Sequence, residues 1–216
     1  MHDRRAAGGA TTSEGQILEA ALDVFAAKGY HGSTIREIAV RAGVSVAGLY
    51  HHFSSKRDLL ERLMDDTMDG LLDQTERAVA GLDDAPVELL RATVGTHVRF
   101  HIDFQRQSFV GNTEIRSLDS PARERILVKR DRQRAHFEAA VAAGLRTGAF
   151  TTAHPAEATR ALVTMCTAVA AWYRADRPLT PDQLVERYCD LALQMVVARH
   201  PHRARDRGSV ISPNHS

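Results

Sequence analysis

Two kinds of chemistry are open to a 216-residue chain with 11 histidines and two cysteines: bond making or metal-assisted reaction, and hydrogen bonding to another molecule. The first requires a nucleophile, a base and an orienting group at convergent spacing, or a full ligand set for one metal. Cys166 and Cys189 are too few and too far apart for a metal knuckle or a disulfide scaffold. Each falls in an apolar helical stripe, where a buried free thiol is expected. His97 and His101 lie four apart, on one helix face, and would suit a metal pair, yet no Cys or carboxylate cluster completes the site. Catalysis, a metal and a cofactor are therefore not expected.

The second kind of chemistry is concentrated in residues 45–56. There Ala47, Gly48, Tyr50 and His51 point to one side of a helix expected over 46–52, with His52 next to them, and Leu49 and Phe53 point to the other. A solvated helix face would carry long charged chains. Small residues beside a tyrosine and histidines suit a face that presses on another surface. If that surface is duplex DNA, the first turn enters the major groove, and Tyr50 and His51 reach phosphates or base edges. Ser54 is expected to cap the next helix, whose free amides and Lys56 would hold a phosphate.

Those residues need elements to position them, and residues 33–56, STIREIAVRAGVSVAGLYHHFSSK, supply a helix, a tight turn and a second helix. Ser33 or Thr34 caps the first, whose Ile35, Ile38, Ala39 and Ala42 form one apolar stripe. Gly43 ends it, because glycine takes the left-handed conformation that turns the chain there. Ser45 caps the second helix, which is too short to stand in water without packing.

At these positions the chain resembles the DNA-binding domain of the TetR/AcrR family of bacterial repressors. The resemblance rests on Phe25, Gly29, Thr34, Ile38, Ala39, Gly43, Val44, Leu49, Tyr50, Phe53, Lys56 and Leu59, in register near the N-terminus. It implies a double-stranded DNA operator contacted by Thr34, Arg36, Ser45, Val46, Ala47, Gly48, Tyr50, His51, His52 and Lys56. Val46 and Ala47 match base-contact positions and would offer methyl groups. The family pattern also implies a homodimer on an inverted repeat and a small-molecule effector held in the C-terminal domain.

Whole-chain properties set the bounds. Lysine plus arginine number 28 against 27 acids, giving net charge +1, so bulk charge does not announce a nucleic-acid binder and local placement must do the work. Hydrophobic content of 44% supports a sizeable core. No apolar run approaches the roughly 20 residues of a membrane span, and residues 1–12 lack the apolar centre of a signal peptide. A cytoplasmic protein, off the membrane, is expected.

Periodicity predicts an all-α fold of about nine helices. A disordered basic arm is expected over 1–12, a helix-turn-helix domain over 13–54, a helical effector-binding and dimerisation domain over 55–199, and a disordered tail over 200–216. Predicted spans are about 12–28, 55–80, 86–107, 120 to 144 or 148, 155–175 and 180–199. A broken stretch is expected near Gly111 and Asn112.

Two apolar stripes on each of the last two helices predict a four-helix interface between twofold copies, through Ala158, Leu162, Met165 and Val169 with Leu184, Tyr188, Leu191 and Met195. The same stripes would also serve a single core. Polar residues on buried stripes mark the effector site: His97 and His101 beside Phe100 and Phe104, then Arg130, Gln133, Arg134 and Phe137. Here the run KRDRQR reads either as a solvated face or as cations meeting an anionic ligand. Trp172, Tyr173 and Arg174, followed by Pro178, Leu179 and Thr180, resemble a TetR subgroup that senses acyl-CoA thioesters, which implies an acyl-CoA effector. Two other readings stay open. One is a DNA-binding dimer without an effector, which a filled core would favour. The other is a helical ligand carrier or enzyme that retains the N-terminal fold.

Overall fold

A computed structural model describes residues 13–176 and 178–197. The basic arm expected at 1–12 and the tail expected at 200–216 lie outside the described residues. Nine α-helices occur among them: α1 Ser13–Lys28, α2 Ile35–Ala42, α3 Val46–His52, α4 Lys56–Val79, α5 Pro86–Asp103, α6 Gln105–Glu114, α7 Ser120–Thr147, α8 Pro155–Trp172 and α9 Pro181–Val196, with one 3-10 turn at Ile115–Ser117. No described residue is in a strand.

Local capping chemistry accounts for most of the boundaries. At the start of α2 the Thr34 hydroxyl accepts the Glu37 N–H at 3.2 Å, while the Glu37 carboxylate accepts the Thr34 N–H at 2.9 Å. Thr180 and Gln183 repeat that arrangement on α9. Gly43, with φ +69°, closes α2 in the left-handed region, and its neighbour Val44 returns an N–H to Ala39 O at 3.0 Å. Ser55 caps α4, taking the Asp58 N–H at 3.0 Å. Ser54, expected in that role, is instead held by the Asp58 carboxylate. One acid thereby fixes both serines.

Three expected spans are corrected by tertiary ties. The predicted helix over 86–107 is two helices, because Phe104 leaves the helical conformation at φ −113°, ψ 45°. The Gln105 side chain then donates to the Ala170 and Tyr173 carbonyls at 3.0 and 2.8 Å, pinning the start of α6 to the end of α8. Residues 111 and 112, expected as a break, continue α6. Helix α8 stops at Trp172 and not near residue 175, because Tyr173 turns out and its ring is buried.

Two apolar cores result. The first gathers Ile17, Leu22 and Phe25 of α1, Ile38 of α2, Leu49 of α3 and Leu59, Leu60 and Met64 of α4, completed by Val110 of α6, Leu118 of the following link, and Ala122 and Ile126 at the start of α7. The boundary expected at residue 54 is thus no gap in packing. The second core is built from α5, α7, α8 and α9, around Leu90, Val94, Phe137, Leu162 and Val169, with Val79 of α4 packed against it. Gly144 allows the densest contact, since a Cβ there would lie 1.8 Å from the Phe150 ring. Helix α4 starts in one core and ends on the other.

Candidate DNA interface and effector site

Helix α3 is seven residues long and is held by its anchors: Leu49 is 0% exposed and Phe53 4%. Its other side is open, with Tyr50 51% and Val46 40% exposed and Ala47, His51 and His52 also exposed. Ser45 accepts the Gly48 N–H at 2.9 Å, which leaves its hydroxyl proton for an outside acceptor. The His51 and His52 rings meet edge to face at 5.4 Å. Arg36 is exposed with no ion pair among the described residues. Thr34 is exposed as well, but its hydroxyl and N–H are both committed to Glu37.

Lys56 does a different job from the phosphate contact expected of it. Its ammonium donates to the carbonyls of Tyr30 and Ser33, both at 2.7 Å, and sits 4.3 Å over the Tyr30 ring. Both carbonyls lie where α1 ends and the chain turns towards α2, that of Tyr30 also accepting the Ser33 N–H and hydroxyl, so the lysine ties that turn to α4. The partners are 26 and 23 residues away, beyond any local pattern.

Of the expected effector residues, the structure brings together His97, Phe100, His101, Arg130, Gln133 and Phe137. His97 and His101 stack at 4.4 Å and 13°, and His97 meets the Phe137 ring edge to face at 5.3 Å. His97 Nε2 lies 3.0 Å from Thr167 Oγ1; Gln133 Nε2 lies 3.1 Å from Thr75 Oγ1 and 3.3 Å from His97 Nδ1. His101 Nδ1 donates to the His97 carbonyl at 2.8 Å. Burial holds His97 well below the usual imidazole range, and the neighbouring His101 adds to this. Burial likewise pushes His101 down to about 4, assisted by the Arg130 charge. Both rings are neutral at physiological pH. Among the described residues no group of three His, Cys, Asp or Glu is placed to hold a metal ion.

The remaining expected members are elsewhere. Arg134 lies on the outer face of α7, paired with Asp131 and Glu138 at 3.2 Å each. Trp172 is exposed and stacks on Tyr188; Arg174 is exposed and donates to the Tyr173 carbonyl; Tyr173 packs in the second core. Phe104, partly exposed, packs against Phe100 with the ring centroids 4.6 Å apart and the planes tilted by 32°. The basic run on α7 is largely spent on α4: Arg125 pairs with Glu61, Lys129 with Asp65 and Asp69, and Arg132 with Glu76. Arg130 is the exception, with its single hydrogen bond to the Gly111 carbonyl at 2.8 Å. Thr75, Ser108 and Thr167 join the site without having been picked out. Nothing in the periodicity of α4, α6 or α8 separates them from ordinary helix-lining hydroxyls.

A cavity of about 30 Å³ lies between α4, α5, α6 and α7, walled by His101, Ser108 and Arg130 together with Met64, Met68 and Leu71. Beside it a cleft of about 260 Å³ runs between α1, α4, α5 and α6, lined by Leu18, Leu63, Gly70 and Phe104 among others; Thr67 and Phe100 border both spaces.

The expected dimer stripe is half corrected. Ala158, Leu162, Val169 and Leu184 are enclosed within one chain, Leu162 at 0% exposure, so they fill its own core. Apolar periodicity shows that a helix has two buried stripes but not which one faces inward. The apolar surface that one chain leaves uncovered is Ala161, Met165, Ala168 and Trp172 on α8 with Tyr188, Leu191 and Met195 on α9, Leu191 being 49% exposed. Two of the eight expected residues, Leu191 and Met195, stand out on this face, and Met165 and Tyr188 are partly covered at its edge.

Known proteins share this layout along nearly the whole chain. Residues 17–63 match the family described as "Bacterial regulatory proteins, tetR family", and residues 83–196 match "Tetracyclin repressor-like, C-terminal domain". The HTH-type transcriptional repressor KstR2 of Mycobacterium tuberculosis is 27% identical over 191 residues, covering 88% of this chain and 95% of that one. A tetR-family regulatory protein from Rhodococcus RHA1 superposes with a TM-score of 0.81 at 30% identity, covering 87% of this chain and 98% of its own. AibR, solved in complex with isovaleryl coenzyme A and operator DNA, gives 0.74 at 25% identity over 85% and 97%. No described helix is long and apolar enough to cross a membrane. Matched through both its reading head and its C-terminal half, the chain belongs to the TetR family of DNA-binding transcriptional regulators, which are not enzymes.

Proposed function

We propose that the protein is a cytoplasmic repressor that binds an inverted-repeat operator as a homodimer and is released by a small-molecule effector, an acyl-CoA thioester. The observation that carries the reading is the division of α3 into a buried side, Leu49 and Phe53, and an open side of small residues with Tyr50, His51 and His52. Residues 13–54 form the reading head, and residues 55–199 the effector and dimer unit. The uncovered apolar face of α8 and α9 is the surface through which twofold copies pair, presenting two α3 helices to successive major-groove faces. The AibR complex supports a coenzyme A thioester as the effector class.

Release follows from linkage. An effector that favours the non-binding spacing of the two heads by about 1 to 3 kcal/mol lowers operator affinity by the same factor. Two ties can carry the change. Helix α4 joins the two cores, and Arg106 of α6 pairs with Glu19 and Asp23 of α1, Asp23 also taking Arg41 of α2. The test is selection of bound fragments from genomic DNA, followed by mobility shifts on the recovered site with acyl-CoAs of varied chain length. An inverted repeat bound by a dimer and freed by an acyl-CoA is the expected result. A monomer that binds a single half-site equally well would overturn the dimer reading, and indifference to all acyl-CoAs would overturn the effector class.

A further inference from the structure

Among the described residues Arg130 of α7 has no acid partner, unlike its neighbours that pair with α4. Arg125, Lys129 and Arg132 each have a carboxylate on α4, while the half-buried Arg130 guanidinium has one backbone carbonyl, that of Gly111, and burial already pulls it below its ordinary value. A guanidinium stays charged in a protein, and a charge taken from water without a partner is costly. Ser108 lines the same small cavity from α6, 4% exposed, and its hydroxyl has no hydrogen-bond partner among the described residues. No Asp or Glu lines the space; its other polar walls are the uncharged Thr67 and Asn112 and His101, a neutral imidazole. At about 30 Å³ the cavity has room for about two waters' worth of atoms, which fits a two-oxygen head group and not a hydrocarbon chain. A chain has its own place in the adjoining cleft, reached past Thr67 and Phe100.

Building on the effector reading above, we infer that this cavity is a carboxylate clamp: Arg130 and Ser108 bind the buried carboxylate of an aliphatic effector whose chain lies in the neighbouring cleft. A planar guanidinium meets a carboxylate through two parallel N–H donors, and the Ser108 hydroxyl supplies a third. The carboxylate belongs either to a free short-chain acid or to the far end of an acyl thioester that ends in a second acid group. Binding has a consequence for the fold as well. The carboxylate competes with the Gly111 carbonyl for Arg130, and Gly111 lies on α6, the helix that Arg106 ties to α1. The clamp therefore loosens the helix that braces the reading head.

The experiment uses the full-length protein with its recovered operator, and reads melting temperature and operator release side by side. Probes are hexanoate against hexanamide, and adipoyl-CoA against hexanoyl-CoA. The member of a pair bearing the carboxylate should act at a concentration at least tenfold lower, and which pair responds tells the free acid from the thioester. Arg130→Gln should abolish the preference and, because it also frees the Gly111 carbonyl, weaken operator binding without effector; Ser108→Ala should reduce the preference three- to tenfold and leave operator binding without effector within about twofold. The serine variant removes no backbone hydrogen bond, so it tests the clamp even if Arg130→Gln folds poorly. Equal potency of carboxylate and neutral partners in both pairs, or an undiminished preference in Ser108→Ala, would overturn the clamp. Neutral acyl-CoAs alone releasing the operator would also overturn it, with the regulator reading intact. Failure of the protein to bind any operator would sink that reading instead, and the melting shifts would still report on the clamp.

Discussion

The outer face of α3 and the polar cluster inside the second half of the molecule are both built from histidines, hydroxyls and an aromatic ring, yet they are stabilised in opposite ways. On α3 every polar tie is local: Ser45 to Gly48 within the helix, Leu49 and Phe53 directly beneath. The exposed side chains can be changed without disturbing what holds the helix. In the cluster the ties between helices are long-range: Gln133 reaches Thr75 across 58 residues and His97 reaches Thr167 across 70, with His101 bonding locally, to the His97 carbonyl. There, recognition and stability rest on the same atoms. A surface that reads a rigid partner can be mounted on a finished fold, whereas a pocket that must sense and respond has to be part of the packing it alters.

The largest test of that contrast is Phe137→Ala. Phe137 is fully buried under the His97 ring, and its removal should cost about 3 to 5 kcal/mol. At about 2 to 4 °C per kcal/mol for a chain of this size, melting should fall by roughly 10 °C, with any effector response weakened in parallel. Tyr50→Ala should do the reverse. Operator affinity should drop by about 1 to 3 kcal/mol in a mobility-shift titration, with melting unchanged within about 1 °C. If both variants lost stability alike, the contrast would be broken.

Acid sharpens it further. His101 is held near 4 against an ordinary imidazole value of 6.5, so the unfolded chain binds protons first as pH falls. Its contribution to stability is complete above the unfolded value and is lost as pH drops from about 6.5 towards 4. By linkage it amounts to about 2 kcal/mol between pH 7 and pH 5, and His97, shifted in the same direction, adds to it. Melting followed from pH 7 to pH 5 should show the fall, and His101→Gln should flatten it. Smallest is Lys56→Met, which breaks the tie to Tyr30 and Ser33 and should cost about 1 to 2 kcal/mol of stability. Its effect on operator binding should track the loss of fold, as befits a brace, and not appear alone as it would for a phosphate contact.

The same contrast explains what could be seen in advance. Caps and stops are chemistry within four residues, so Thr34, Gly43 and Ser45 were legible, and the reading head with them. The split after Asp103 was not, because it depends on Gln105 meeting carbonyls at the end of α8. Six of the eleven expected effector residues gather in one cluster, since a histidine or glutamine on an apolar stripe is conspicuous. Arg134 could not be told from Arg130, because a 400° turn of the helix separates partners that only the position of α4 distinguishes. The dimer stripe failed on Leu162 and Leu184 for the same reason: two apolar faces look alike until a neighbour covers one.

The row of ion pairs between α4 and α7 alters how salt titrations of this protein should be interpreted. Glu61, Asp65, Asp69 and Glu76 face Arg125, Lys129 and Arg132 along the rim of the molecule, mostly in contact with solvent. Dissolved ions that compete with the protein for phosphates also screen this zipper, which fastens the helix leading out of the reading head. Operator affinity should therefore decline with ionic strength more steeply than the number of phosphates touched would dictate, the excess measuring how firmly the head is aimed.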